Sequence, residues 1–145
     1  MDEVTTGNLD ALVGYHLRRA LAVVGNDFAR ALDGTAMRQV PFAILAMVEA
    51  NPGINQGAVG RALGIQRANM VSLINELVDR DLLDRQIAPD DRRAFSLALT
   101  AAGKAMFKDC LARIHAHEDH LLSDFSADER RTLIDLLGRI EARER

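Results

Sequence analysis

Between Leu9 and Phe28 the apolar residues Leu9, Leu12, Val13, Leu17, Leu21, Val24 and Phe28 recur at three- and four-residue steps. That spacing predicts one long helix over 9–32 with a broad apolar face, stopped by Asp33-Gly34. A second helix starts between Met37 and Pro41, because proline is tolerated in a first turn. It carries Phe42, Ile44, Leu45, Met47 and Val48 until Asn51-Pro52-Gly53 ends it. Asn55 is a good N-cap for a third, short helix. Ile54 can pack on Val59 as a hydrophobic staple, and Gly64 serves as the stop. A fourth helix runs from about Arg67 to Asp79 on a narrow stripe of Met70, Leu73, Ile74 and Leu77. Two short helices joined by a glycine-containing turn form a helix-turn-helix pattern.

After Leu82 the period changes from helical to alternating. Leu83 to Ile87 reads as a strand, and Phe95, Leu97 and Leu99 alternate with Ala94, Ser96 and Ala98. The polar stretch 88–93 between them, Ala-Pro-Asp-Asp-Arg-Arg, reads as a charged turn. A β-hairpin therefore follows the helix-turn-helix directly. Thr100 can cap a helix running to about Leu122. Ser126-Ala127-Asp128-Glu129 is a capping box opening a last helix with Leu133, Leu136, Leu137 and Ile140. The fold class expected is mainly α with a small β-hairpin, a winged helix-turn-helix module flanked by further helices.

Composition narrows the choices. With 145 residues, 48% of them hydrophobic, the chain suits one domain and excludes global disorder. No apolar run reaches the roughly 18 residues of a membrane span, and the acidic start Met1-Asp2-Glu3-Val4 is neither a signal nor a transit peptide, so a cytoplasmic location is expected. The one cysteine, Cys110, excludes an internal disulfide framework and cysteine-based zinc modules. It sits mid-helix among apolar residues and reads as a packed thiol. Net charge is −3, and no block of the chain forms a basic patch. Any case for DNA binding must rest on the placement of individual arginines, which are 16 of the 18 basic residues.

Helical geometry places the polar side of the fourth helix opposite its stripe. Ala68, Val71, Ser72 and Asn75 point outward, with Gln66, Arg67 and Asn69 at or beside the N-terminal end, where such helices reach base edges. Arginine suits guanine, asparagine suits adenine, and Val71 or Ala68 can meet a thymine methyl. At the hairpin tip an aspartate can hold a neighbouring arginine extended, and a narrow minor groove attracts an inserted arginine. This makes Asp91, Arg92 and Arg93 candidates, with Arg92 suited to a phosphate. A solvated helix face and a solvated turn are the plain alternatives.

Other constellations are weaker. His115, His117 and His120 invite a metal reading, but the spacing does not match the zinc-protease helix; no metal and no cofactor are expected. Gly57, Gly60 and Gly64 fit no nucleotide loop, and no nucleophile–base pair can be assembled, so no enzyme is expected. His16 falls inside the apolar arc of the first helix, with Arg19 at its edge.

The stretch Leu63 to Leu77, then Arg80-Asp81-Leu82-Leu83, then Pro89-Asp90-Asp91-Arg92-Arg93 leading into Leu99-Thr100-Ala101-Ala102-Gly103, resembles the MarR family of winged helix-turn-helix transcriptional regulators. Asp91 and Arg93 occupy the family's wing positions. The chain departs from the pattern at Ser72, often basic in the family, at Ala68, often Ser or Thr, and at Asp81, usually Gly. The resemblance implies a homodimeric repressor that binds double-stranded DNA. Residues 37–99 would form the winged module, and 9–32 and 104–143 would form the dimer. It also implies a small-molecule effector between these parts, with His16 and Arg19 as candidate contacts and Met37, Phe42 and Met106 as walls. Gly14-Tyr15-His16-Leu17-Arg18-Arg19 is similar to a subgroup associated with phenolic acids and their coenzyme A thioesters. The alternative from another class is a helical protein–protein adaptor that keeps the winged fold without DNA binding, which the even charge balance leaves open.

Overall fold

The computed structural model describes residues 3–88 and 91–144. The chain runs through a short 3-10 turn, Gly7–Ala11, and then α1 (Val13–Ala31), α2 (Gln39–Ala50), α3 (Gln56–Leu63), α4 (Arg67–Asp79), β1 (Leu83–Ala88), β2 (Asp91–Leu99), α5 (Ala101–Leu121) and α6 (Ala127–Glu141). The winged helix-turn-helix architecture expected from the periodicity is present.

The caps are where local chemistry placed them. The Asn55 side chain accepts the Ala58 amide, Thr100 accepts that of Gly103, and both halves of the Ser126–Glu129 capping box are made. The Ser126 amide, which donates to Glu129 Oε1, holds the Glu129 carboxyl below the usual carboxylate range. Gly64 ends α3 in the left-handed region at φ 68°. A side chain there would also meet the Glu144 carboxylate, which returns to this turn from beyond the end of α6.

Two boundaries differ from the periodic reading. The first helix does not run unbroken from residue 9, because Leu12 is extended (φ −98°, ψ 115°) and separates the 3-10 turn from α1. Leu9, Leu12 and Val13 keep helical spacing across that break, so periodicity cannot register it. The hairpin turn is also shorter than the polar stretch suggested: Ala88 pairs with Asp91, and strand continues through 91–94. Strand formation depends on pairing and context more than on intrinsic preference, so polarity alone did not mark its end. Pro89 and Asp90 lie outside the described residues.

The two strands are antiparallel, with Leu83 opposite Leu99, Arg85 opposite Leu97 and Ile87 opposite Phe95. The loop before α3 joins them: the Leu97 amide donates to the Ile54 carbonyl (2.9 Å), and the Gly53 amide donates to that of Leu97 (3.1 Å). The core lies under this sheet, where Ile44, Leu45, Val48, Val59, Met70, Ile74, Leu77, Leu83 and Leu97 are buried with Cys110 and Ile114 of α5. Burial pushes the Cys110 thiol up, which keeps it in the unreactive form. By contrast α1 and α6 bury none of their residues within the chain. Leu21 and Ile134 are 64% and 68% exposed, and Val13, Leu136 and Ile140 are also open to solvent.

Candidate nucleic-acid interface

The outward side of α4 is exposed as its spacing predicts. Gln66, which precedes the first turn, and Arg67, Ala68, Asn69, Val71, Ser72 and Asn75 are all solvent-exposed, while Met70, Ile74 and Leu77 are buried and Leu73 is half-buried. The helix stands as a ridge between two grooves. One, of about 730 Å³, is lined by Gln66, Asn69 and Ser72 together with Arg38, Gln39, Val40 and Pro41 at the start of α2. The other, of about 590 Å³, is lined by Arg67 and Val71 with Asn55, Gln56, Arg61 and Phe95. The Gln56 Oε1 atom is buried there without a hydrogen-bond partner among the described residues. Arg61 was missed in the sequence because it lies on α3, outside the recognition helix. A cation one turn before the Gly64 stop was the available signal.

Several arginines are engaged within the chain. Arg38 donates to both Glu76 oxygens at 2.8 and 2.7 Å. Arg80 donates to the carbonyls of Ala36 (3.0 Å) and Thr35 (3.3 Å), tying the end of α4 to the loop before α2. Arg85 reaches from β1 to Asn75 of α4. Asp91, Arg92 and Arg93 begin β2 beyond a register irregularity between Ile87 and Ala88. The side chains of these three wing candidates lie outside what is described.

The structure separates the candidate effector residues. His16 and Arg19 are exposed on α1, and His16 Nε2 donates to the Asp10 carbonyl at 2.8 Å, holding the 3-10 turn against the helix. Phe42 stacks on Phe107 with ring centres 5.6 Å apart, and Met106 is half-buried beside them against the core. Met37 is itself a core residue, so it is not a free wall. A groove of about 570 Å³ beside Phe107 is lined by Val48, Leu99, Leu111 and the chain's two lysines, Lys104 and Lys108. The histidine cluster does not converge. His117 is buried, with Nδ1 2.5 Å from Asp27 Oδ2 of α1 and its ring edge-on to Phe28, while His115 and His120 are exposed. Among the described residues no three metal-ligating side chains are grouped.

The MarR family profile matches residues 38–94, from the start of α2 to the wing. A candidate transcriptional regulatory protein for the hcr operon of Thauera aromatica is 33% identical over 143 residues, 95% of this chain and 84% of that protein. The chain belongs to the MarR family. Among solved structures, the transcriptional repressor CouR bound to a 23-mer DNA duplex is 34% identical over 97% of this chain and 99% of its own, with a TM-score of 0.91. CouR bound to p-coumaroyl-CoA superposes at 0.83, with 33% identity over 99% and 100% of the two chains. PcaV of Streptomyces coelicolor, in complex with its natural ligand, is 26% identical over 99% of each chain at 0.84. This chain is a MarR-family transcriptional repressor. No helix among its described residues is long and apolar enough to cross a membrane.

Proposed function

We propose that the repressor acts as a homodimer on a pseudo-palindromic operator and releases it on binding an aromatic acid or its coenzyme A thioester. One observation carries the DNA-binding half: α4 is an exposed ridge flanked on both sides by open grooves. An α-helix about 10–12 Å across fits a major groove about 12 Å wide, and the two phosphate backbones then run beside it. Arg61 and Arg67 border one groove, and the start of α2 borders the other. Gln66, Arg67, Ala68, Asn69, Val71 and Ser72 meet base edges, and Arg93, set by Asp91, enters the flanking minor groove with Arg92 on a phosphate. The greater likeness to the DNA-bound CouR structure than to the thioester-bound one supports a DNA-competent arrangement of this chain.

The dimer reading rests on the exposed apolar faces of α1 and α6, which the winged module of 37–99 does not cover. Faces of this size mark interfaces, and a two-fold dimer is the commonest closure. Light scattering at micromolar concentration should give twice the 15.9 kDa chain mass; a monomer defeats the reading. Two-fold pairing places half-sites roughly 10 bp apart or a multiple of one DNA turn.

Substitutions separate reading from holding. Arg67→Ala should weaken operator binding about tenfold and random duplex much less, the pattern of a lost base contact. Arg92→Ala should lower the salt slope by about one unit. Arg93→Ala should cost most where the flanking minor groove is narrow. Equal losses for Arg67→Ala on operator and random DNA would reassign it to the phosphate backbone. A protein with no salt-dependent affinity for any duplex would favour the adaptor.

A further inference from the structure

We propose that Arg85 is a positioning residue that locks the wing to the recognition helix, so that the DNA contacts of the two are made as one unit. The proposal rests on the reading above, in which α4 faces the major groove and the wing the minor groove. The antiparallel register puts Leu83, Arg85 and Ile87 of β1 on one face of the hairpin with Leu99, Leu97 and Phe95 of β2. Along that face burial falls toward the tip. Leu83 and Leu97 are closed off, Arg85 is half-buried, and Ile87 is exposed. Arg85 thus stands where the hydrophobic packing of the wing runs out. From there its Nη1 donates to Asn75 Oδ1 at 2.8 Å, and its guanidinium carbon lies 5.1 Å from the centre of the Phe95 ring. A guanidinium only donates hydrogen bonds, so the amide oxygen of Asn75 must face it. The planar cation can also stack on an aromatic face within about 6 Å. One side chain therefore joins α4, β1 and β2 on the core-facing side of the hairpin, just past the end of the core.

Two consequences follow for DNA binding. The hairpin is a two-stranded ribbon, marginal by itself, and its angle to α4 decides whether its tip reaches a groove. Beyond Leu97 the Arg85 bridge holds this angle from the α4 side, while the pairing of Ser96 with Asn55 holds the other strand to the loop before α3. Asn75, read from the sequence as an outward base reader, is instead the anchor on α4 for the wing.

The test is a double-mutant cycle on operator DNA with Arg85→Ala, Asn75→Ala and the pair, read with groove-specific footprints at saturating protein. Each single variant should weaken binding about tenfold, and the pair should be no weaker than the worse single by more than twofold. Both should lose hydroxyl-radical protection at the minor-groove flank while keeping dimethyl sulfate protection of major-groove guanines. Asn75→Asp, whose carboxylate still accepts from Arg85, should keep the flank protection. Losses that multiply in the pair, or flank protection that survives Arg85→Ala, would overturn the proposal. If Arg85→Ala does not fold, Arg85→Lys, which keeps the charge without the planar fork, takes its place in the cycle. A wild type without flank protection would sink the minor-groove reading itself, and the cycle alone would then decide the bridge.

Discussion

Replacing Gly103 with alanine should cost roughly 3 kcal/mol or more, the upper part of the range for overpacking a closed site. For a chain of this size that lowers the melting temperature by about 10 °C. By helix propensity alone the change should help, since alanine is about 1 kcal/mol better than glycine inside a helix. Space decides against it. A β-carbon at Gly103 would lie 2.0 Å from the Leu82 carbonyl oxygen and 2.9 Å from its carbonyl carbon. Both are backbone atoms that cannot rotate away. They are also held in place: the Leu82 amide donates to the Leu77 carbonyl at 2.9 Å, and its carbonyl accepts from the Thr100 amide at 3.2 Å. Thr100 completes the joint, accepting the Gly103 amide at 2.9 Å and donating to the Asp81 carbonyl at 2.5 Å. Asp81 itself is left-handed, at φ 59°. The end of the recognition helix, the root of the wing and the start of α5 thus meet at one contact that only glycine permits. Relieving the clash by moving α5 would tilt the wing, so operator affinity should fall together with stability. Thermal melts by circular dichroism decide the matter. A variant melting within 2 °C of wild type would show that the Leu82 backbone yields.

The parts of this structure that were legible in the sequence are those governed by neighbours along the chain. Asn55, Gly64, Thr100 and the Ser126–Glu129 box each satisfy backbone groups within four residues, so their types and spacing suffice. The stripe of α4 was legible for the same reason, and with it the exposed face from Arg67 to Ser72. The break at Leu12 was not, because it leaves the apolar spacing intact. Nor were the contacts that cross the chain. His117 meets Asp27 from 90 residues away, a link between α1 and α5 that the spacing of the histidines along one helix could not show. Asn75 kept its place on the outward face, yet its oxygen is occupied by Arg85, a partner that only the hairpin register brings near. Arg61 joins the interface through the packing of α3 on α4, a tertiary relation that its place one turn before Gly64 does not by itself disclose.

Adding the right thioester to the operator complex should weaken DNA affinity between 5- and 150-fold, the range of an allosteric coupling of about 1–3 kcal/mol. A ligand shifts an equilibrium only by its preference for one arrangement. The thioester must therefore bind an arrangement other than the one in which the α4 ridges fit successive grooves. Reciprocity gives a second measurement of the same quantity, because saturating operator must weaken thioester binding by the same factor. Benzoates, cinnamates and their coenzyme A thioesters form the panel, with fluorescence anisotropy of labelled operator as the readout. Free acids and thioesters make different demands on a site. An aromatic acid needs a flat apolar wall and one cation, which the Phe42–Phe107 stack and Arg19 could supply once a partner subunit closes over α1. A thioester adds phosphates, and Lys104 and Lys108 rim the groove beside Phe107. Arg19→Ala should then impair the response to acids and thioesters alike, whereas Lys104→Ala with Lys108→Ala should impair the response to thioesters only. His16→Ala carries a further effect, since it also frees the 3-10 turn held through the Asp10 carbonyl. His16→Gln, which can still donate to that carbonyl, separates the two roles. A repressor that keeps its operator against the whole panel has no aromatic effector. One that responds fully without His16 and Arg19, but not without the lysines, has its site in the α5 groove.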